Sequence, residues 1–186
     1  MRIVLASKSP RRQELLKMIY NDFEVYPSSV REWLPPNIES DHAAGFLAAQ
    51  KACDVSQQSG GDIVIGCDTV VVCGNEILGK PKNRADAYIM LKKLSGKTHI
   101  VYTGVCVVSK FGDFSFTQAT KVTFEEMSNQ EINDYLNSEN VLDKAGAYGI
   151  QGAAGKFISK IEGDYYNVVG LPVSRLYKEL KRHKLV

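Results

Sequence analysis

Net charge is what this 186-residue chain conspicuously lacks: 23 basic side chains face 21 acidic ones, a formal +2. So even a balance excludes a bulk basic footprint, so neither nucleic acid nor an anionic membrane surface is an expected partner. Any anion site must be built locally. Histidine is scarce, with three residues far apart, and the four cysteines (Cys53, Cys67, Cys73, Cys106) form no CxxC pair. A zinc site and a disulfide framework are therefore not expected. No apolar run approaches the roughly 18 residues of a membrane span, and the apolar stretch at 3–6 is too short for a signal peptide. The expected compartment is the reducing cytosol. Also missing are GxxxxGK[ST], GxGxxG after a strand, HExxH and GxSxG, which leaves Walker kinases, Rossmann dehydrogenases and triad hydrolases poorly supported.

What is present alternates between strand and helix signals. Residues 2–6 read as a buried strand, followed by the helical pattern RRQELLKMI, a short strand at 23–26 and a Pro- and Ser-containing loop at 27–40. Asp41 can N-cap a helix running to about Ser56, closed by Ser-Gly-Gly at 59–61. The β-branched run 62–73, then Gly74-Asn75 and EILGK, predicts a hairpin. A helix is expected at 84–94 with Ala85, Tyr88, Ile89 and Leu91 as its apolar positions. Long strands follow at 98–109 and 114–124, then a helix from Ser128 to about Asn137 with Ser128 and Glu131 at capping-box spacing. After a glycine-rich stretch at 146–155 come a strand at 156–161 and a helix with Pro172 at its first position, ending near His183. The order predicts one α/β domain over 1–186 with a substantially antiparallel sheet.

Four places carry chemistry. At the junction Ser7-Lys8-Ser9-Pro10-Arg11-Arg12, Ser9 suits an N-cap and Pro10 the first helical position. A helix N-terminus attracts anions, yet Arg11 and Arg12 sit in the first turn, where each cation costs roughly 0.3–1 kcal/mol. A bound phosphate would reverse that penalty; two solvated arginines are the equal alternative. Second, Asp68 lies inside the apolar run 63–72, where a lone carboxylate is expensive to bury without a cation, a metal or a kink at Gly66. Counting through the 74–75 turn sets Thr69 opposite Lys80, and a bulge near Gly79 would bring Lys80 to Asp68.

Third, Lys51 shares the face of its helix with Ala44, Leu47, Ala48 and Val55, so it either snorkels or reaches inward to an anion. Fourth, DKAGAYGIQG (143–152) has glycines at 146, 149 and 152 that permit close backbone approach, and ends near Gln151, whose amide offers a donor and an acceptor together. An irregular surface loop is the bland reading.

Taken together, LASKSPRRQELL (5–16), KA (51–52), GCDTVV (66–71), LGKP (78–81), YTGV (102–105), DKAGAYGIQG (143–152) and EGDYYNVVGLP (162–172) resemble the Maf family, in that family's order and across nearly the whole chain. The resemblance implies nucleoside triphosphate pyrophosphatase activity and a fold similar to the inosine-triphosphate pyrophosphatases: an elongated mixed sheet flanked by helices, with two lobes around a cleft. It also implies a homodimer and a divalent cation, Mg²⁺ or Mn²⁺. Family roles carry over to Ser7, Arg11, Arg12, Lys51 and Lys80 as triphosphate contacts, and to Asp68 as proton acceptor or metal-linked carboxylate. The subgroup preferring dTTP and UTP is matched at Arg12, Thr69 and Gln151. A glutamine can donate to O4 of uracil or thymine and accept from N3–H, whereas the acid of a 7-methyl-GTP subgroup can only accept. Two departures stand out: Arg31-Glu32 where the family often has Asp-Glu, leaving Glu32 as the second metal-side carboxylate, and NSENVL before the glycine-rich loop.

The expected reaction is hydrolysis of the α–β phosphoanhydride to monophosphate and pyrophosphate, with the same chemistry on 7-methyl-GTP as the nearest alternative. A nucleotide-sensing regulator of septum formation without hydrolysis is the alternative from another class.

Overall fold

The β-branched and apolar runs form the sheet. In this computed structural model, which describes residues 1–186, seven strands pair: β1 (Ile3–Leu5), β2 (Glu24–Val25), β3 (Ile63–Cys73), β4 (Glu76–Leu78), β5 (Thr98–Ser109), β6 (Phe114–Phe124) and β7 (Ile158–Glu162). The order is β2-β1-β3-β5-β6-β7, with β4 attached to β3. β1 runs parallel to β2 and β3, each reached through a helical crossover, while β3–β4 and β6–β7 are antiparallel. Helices α1 (Pro10–Leu16), α2 (Ser40–Ser59), α3 (Arg84–Leu94), α4 (Asn129–Ser138), α5 (Tyr165–Val169) and α6 (Val173–Arg182) flank the sheet. The expected mixed α/β architecture is what forms.

Several local expectations hold for their stated reasons. Ser9 caps α1 with Pro10 at its first position, although the Ser9 side chain makes no capping bond. Ser128 and Glu131 form the reciprocal capping box of α4. Gly60 ends α2 in the left-handed region (φ 61°), which a glycine adopts without a Cβ penalty.

Others shift. α2 starts at Ser40 after Glu39, so Asp41 lies in its first turn rather than at the cap. Pro172 precedes α6 instead of opening it. β7 begins at Ile158, because Ala153–Phe157 winds into a 3₁₀ turn. The short α5 has a β-branched and aromatic sequence that hides it. It is started by Asp164, whose Oδ1 accepts from the backbone N–H of Tyr166 (2.8 Å) and Asn167 (3.3 Å).

The face of α3 is a correction. Ala87, Met90, Leu91 and Leu94 are buried, whereas Ala85 and Ile89 are exposed and Tyr88 is half-buried. Both sets fit a helical period and share Leu91, and the face that carries Ala87, Met90 and Leu94 is the one packed into the core. The losing face lines a shallow groove with Arg84 and Asn133.

Contacts group the chain into two units. The first comprises Met1–Thr69, Thr103–Gln118 and Gly170–Val186. Where α2 meets the strands its interior uses small residues: Ala48 and Ala52 pack with Cys106, and Val4, Ala6, Val55 and Val64 form a second cluster. Elsewhere in it Leu5, Leu16, Ile63, Ile65, Leu171 and Leu176 are fully buried. The second comprises Val70–Tyr102 and Ala119–Val169, around one large cluster including Met90, Leu91, Phe124, Tyr135, Tyr148 and Phe157.

Candidate active site

Helix α2 reaches the strands of the first unit because glycines let it. A Cβ on Gly66 would lie 2.7 Å from both the Cβ and the amide nitrogen of Ala52, and one on Gly104 would overlap the backbone of Ala44 and Gly45. Backbone therefore meets backbone, and Lys51, next to Ala52, arrives beside Asp68, two residues after Gly66. Lys51 Nζ donates to Asp68 Oδ1 and pairs with Glu32 Oε1 at 3.1 Å. The lysine reaches inward, with its side chain 12% exposed. Asp68 is buried and Glu32 stays about half exposed.

The cation beside Asp68 is thus Lys51. Lys80 does not take that place: the β3–β4 ladder closes with Val71 opposite Leu78, and the Gly79 carbonyl accepts from the Gly146 N–H at 3.0 Å instead of continuing the pairing.

Glu32 is brought to Lys51 by a loop pinned onto α2 at several points. Asp54 Oδ2 accepts from Ser28 Oγ (2.6 Å) and from the Ser29 N–H (3.0 Å). The Gln50 amide donates to the Trp33 carbonyl (2.8 Å) and accepts from the Trp33 N–H (3.4 Å). The Trp33 ring meets Phe46 edge-on at 5.3 Å.

Alternation along β3 sends the next side chains the other way. Cys67 and Thr69 face a second polar group built around Arg12. Its Nε donates to the Gly170 carbonyl (2.9 Å), Nη1 to Ser7 Oγ (3.3 Å) and Nη2 to Thr69 Oγ1 (3.0 Å). Cys67 Sγ donates to the same carbonyl at 3.1 Å. Thr69 Oγ1 also lies 2.9 Å from Thr103 Oγ1. Ser7 Oγ accepts in addition from the Ser9 N–H at 3.3 Å. Gly170 holds this carbonyl from a φ of 130°, a backbone conformation that side-chain-bearing residues rarely adopt. Burial pushes the Cys67 thiol pKa up, so Cys67 is a donor to a carbonyl and not a nucleophile.

The structure therefore brings Ser7, Arg12 and Thr69 into one group and Glu32, Lys51 and Asp68 into another, on opposite faces of β3. Arg11 is half-buried in the first turn of α1. In the second unit, Lys80 is exposed just beyond β4, and Gln151 is exposed in a turn. That turn is fixed on both flanks: Tyr148 Oη pairs with His99 Nε2 at 2.8 Å, and the Ala153 N–H donates to Glu139 Oε1 at 3.1 Å. His99 and Tyr148 are buried, so burial pushes the imidazole pKa down to about 4 and the phenol pKa up.

Thr103, Gly170 and Gln50 escaped the reading of single residues. Thr103 and Gly170 lie within YTGV and the stretch ending VVGLP, but neither residue type announces a partner distant in sequence.

The Maf-like protein family model matches residues 2–183. The chain belongs to the Maf family. A dTTP/UTP pyrophosphatase of Bacillus anthracis is 47% identical over 184 residues, covering 99% of this chain and 96% of that protein. One from Carboxydothermus hydrogenoformans is 49% identical over 183 residues, covering 97% and 98%. Among solved structures, a HAM1 protein from Coxiella burnetii aligns with 67% of this chain and 73% of its own at 14% identity, with a TM-score of 0.47. No helix of this Maf chain is long and apolar enough to cross a membrane.

Chemically, two carboxylates share one ammonium, which leaves the Glu32–Lys51–Asp68 group one negative charge in excess. Its oxygens are hard donors of the kind that suit Mg²⁺ or Mn²⁺. A separate cluster, Glu39, Asp41 and His42, is fully exposed at the start of α2, and nothing else points to a ligand there.

Proposed function

We propose that this Maf protein hydrolyses nucleoside triphosphates, dTTP and UTP foremost, to the monophosphate and pyrophosphate. The observation that carries the reading is the convergence of Asp68 and Glu32 on Lys51. A buried carboxylate held by one lysine, with a second carboxylate beside it, supplies both a proton acceptor and hard oxygen ligands. The names of the relatives support the substrate assignment.

In this reading Asp68 takes a proton from the water that attacks the α-phosphorus. The bond from that phosphorus to the bridging oxygen breaks, and pyrophosphate leaves with the bond's electrons. Positioning and charge neutralisation dominate such transfers. An ammonium has three N–H donors; Glu32 and Asp68 engage two, leaving one for a phosphate oxygen. Arg12 has five N–H donors, three of them engaged within the chain, and so two remain for the substrate. Ser7 and Arg11 complete the phosphate contacts of this unit. Glu32 and Asp68 are the residues that would hold a divalent ion, which when bound neutralises charge on the leaving pyrophosphate.

From the second unit, Lys80 is assigned to the triphosphate and Gln151 to the base, both by their places in the family's motifs. Thr69 and Arg12 share the base assignment. A cytosolic homodimer is the corresponding setting.

The test is product analysis after incubation with dTTP, UTP, CTP, GTP and 7-methyl-GTP, with Mg²⁺ or Mn²⁺. Monophosphate plus pyrophosphate from dTTP and UTP, lost in Asp68→Asn, is the expected result. Preference for 7-methyl-GTP would remove the base assignment and keep the chemistry. No turnover by the folded, metal-supplied protein would leave a nucleotide-sensing module.

A further inference from the structure

The turn that carries Gln151 is held by one face of α4. Tyr135 and Glu139 lie four residues apart, so they stand on the same side of that helix, one turn after the other. The Gly149 N–H donates to the Tyr135 phenol oxygen, and the Ala153 N–H donates to Glu139 Oε1 at 3.1 Å. These two amides bracket Gln151, two residues away on either side. Between them the turn closes on itself, the Gly152 N–H donating to the Gly149 carbonyl at 3.1 Å.

Glu139 breaks a local rule to stand there. It caps the C-terminal end of α4, where the helix dipole disfavours an acid. Its carboxylate serves the start of the next element instead. Ala153 opens the 3₁₀ turn Ala153–Phe157, and its N–H has no carbonyl within that turn to donate to. Gly152 permits the approach: a Cβ there would sit 3.0 Å from Glu139 Oε1 and 3.4 Å from its Cδ, so the carboxylate lies against a bare α-carbon. Tyr135 is a fixed post, buried and meeting Phe157 edge-on at 6.1 Å. Gln151 itself is exposed and is held through its main chain.

We propose that Tyr135 and Glu139 are positioning residues for Gln151: the pair fixes the main chain on both sides of it, so that its amide meets the nucleobase from a set place. The inference rests on the assignment of Gln151 to the base. Neither member of the pair touches the nucleotide; each acts through the turn. A glutamine on a loose turn has to be ordered when substrate binds, and that ordering subtracts from whatever its amide contributes. Two backbone bonds to one rigid helix face remove that cost in advance.

The experiment measures kcat and KM for UTP in the full-length protein and in Glu139→Ala, Glu139→Gln, Tyr135→Phe and Gln151→Ala. Glu139→Ala and Tyr135→Phe are then repeated in the Gln151→Ala background. Alone, Glu139→Ala is expected to lower kcat/KM by about three- to tenfold, the worth of one neutral hydrogen bond from Gln151. Added to Gln151→Ala it has no further effect, because the side chain it places is gone. Glu139→Gln, which keeps an acceptor at the same reach, restores most of the loss. Tyr135→Phe keeps the ring and removes only the oxygen, and its coupling to Gln151 decides if Glu139→Ala does not fold. Equal losses in both backgrounds would show the pair to be structural and overturn the proposal. A loss in Gln151→Ala with none in Glu139→Ala or Tyr135→Phe would mean that the turn keeps its place unaided, and the proposal fails alone. No loss in Gln151→Ala would remove the base assignment and the inference with it.

Discussion

The two units reach order by different means. In the first, α2 approaches the strands through the absence of side chains: Gly66 and Gly104 let it lie on β3 and β5 beside alanines, while aliphatic side chains such as Leu5, Leu16, Ile63 and Leu171 fill the interior elsewhere. In the second, aromatic side chains do much of the packing: Phe124 and Tyr148 meet the buried His99 edge-on, and Tyr135 meets Phe157. The difference teaches where polar chemistry can be held. A backbone-on-backbone contact spends little volume, so Lys51 and Asp68 can be brought together with their polar ends paired. An aromatic interior excludes charge, and its one imidazole stays neutral. The second unit leaves the buried His99 Nδ1 without a hydrogen-bond partner, whereas in the first the paired polar groups retain capacity for a ligand.

The largest expected effect is on chemistry in the first unit. Asp68→Asn keeps the volume and leaves Lys51 paired with Glu32, so the fold should persist with its thermal midpoint little changed. Loss of the proton acceptor is expected to lower kcat by roughly 10²–10⁴-fold. Steady-state kinetics beside a thermal melt measures both, and an Asn variant with near-normal kcat would sink the role given to Asp68.

The second unit is expected to show its character in pH dependence. His99 is held at about 4 when folded, against an ordinary value of 6.5. Between those values the unfolded chain binds a proton that the folded chain refuses, so stability rises with pH through this window. Its contribution is complete above pH 6.5 and is lost as pH falls toward 4, by about 3 kcal/mol in all. Urea midpoints at neutral pH and near pH 4.5 should therefore converge in His99→Gln relative to the parent. An identical pH slope in the two proteins would mean that His99 is not the group responsible.

Glycines sharpen the comparison further. Gly104→Ala places a methyl into the backbone of α2 and is expected to cost about 1–3 kcal/mol, as overpacking does. Gly79→Ala in the second unit meets nothing within 4 Å and is expected to change stability by less than about 1 kcal/mol. Equal effects of the two substitutions would undo the contrast between the units.

How much of this was legible in the sequence follows from the same contrast. β5 and β6 fall at 98–109 and 114–124 because their β-branched runs are bounded by turn residues, and the 74–75 hairpin has its turn dipeptide. Lys51 was readable as a lysine on an apolar face, but which acid it meets was not. That depends on how closely α2 approaches β3, and the approach is set by glycines whose lack of a side chain leaves no pattern. Register counting gave the correct hairpin pairing but could not show that Gly79 turns away to Gly146. On α3, two apolar faces competed, and only the packed core decides between them. The Arg12 group joins Ser7, Thr69 and Gly170, whose sequence separations no local rule bridges.

The smallest effect probes the loop that carries Glu32. Gln50 grips the Trp33 main chain from both sides, so Gln50→Ala should loosen the loop without touching Asp68 or the strands. Two partly exposed bonds are worth little to global stability, and the melt should barely move. If Glu32 helps to hold a divalent ion, its displacement should instead raise the Mg²⁺ or Mn²⁺ concentration for half-maximal activity by roughly two- to fivefold, with kcat at saturating metal nearly intact. Trp33 is the chain's one tryptophan, so its fluorescence titrated with Mn²⁺ reports the same shift without turnover. A larger fall in kcat with no change in metal requirement would place the loop's importance in closing over substrate, and Glu32 would lose its role as a ligand.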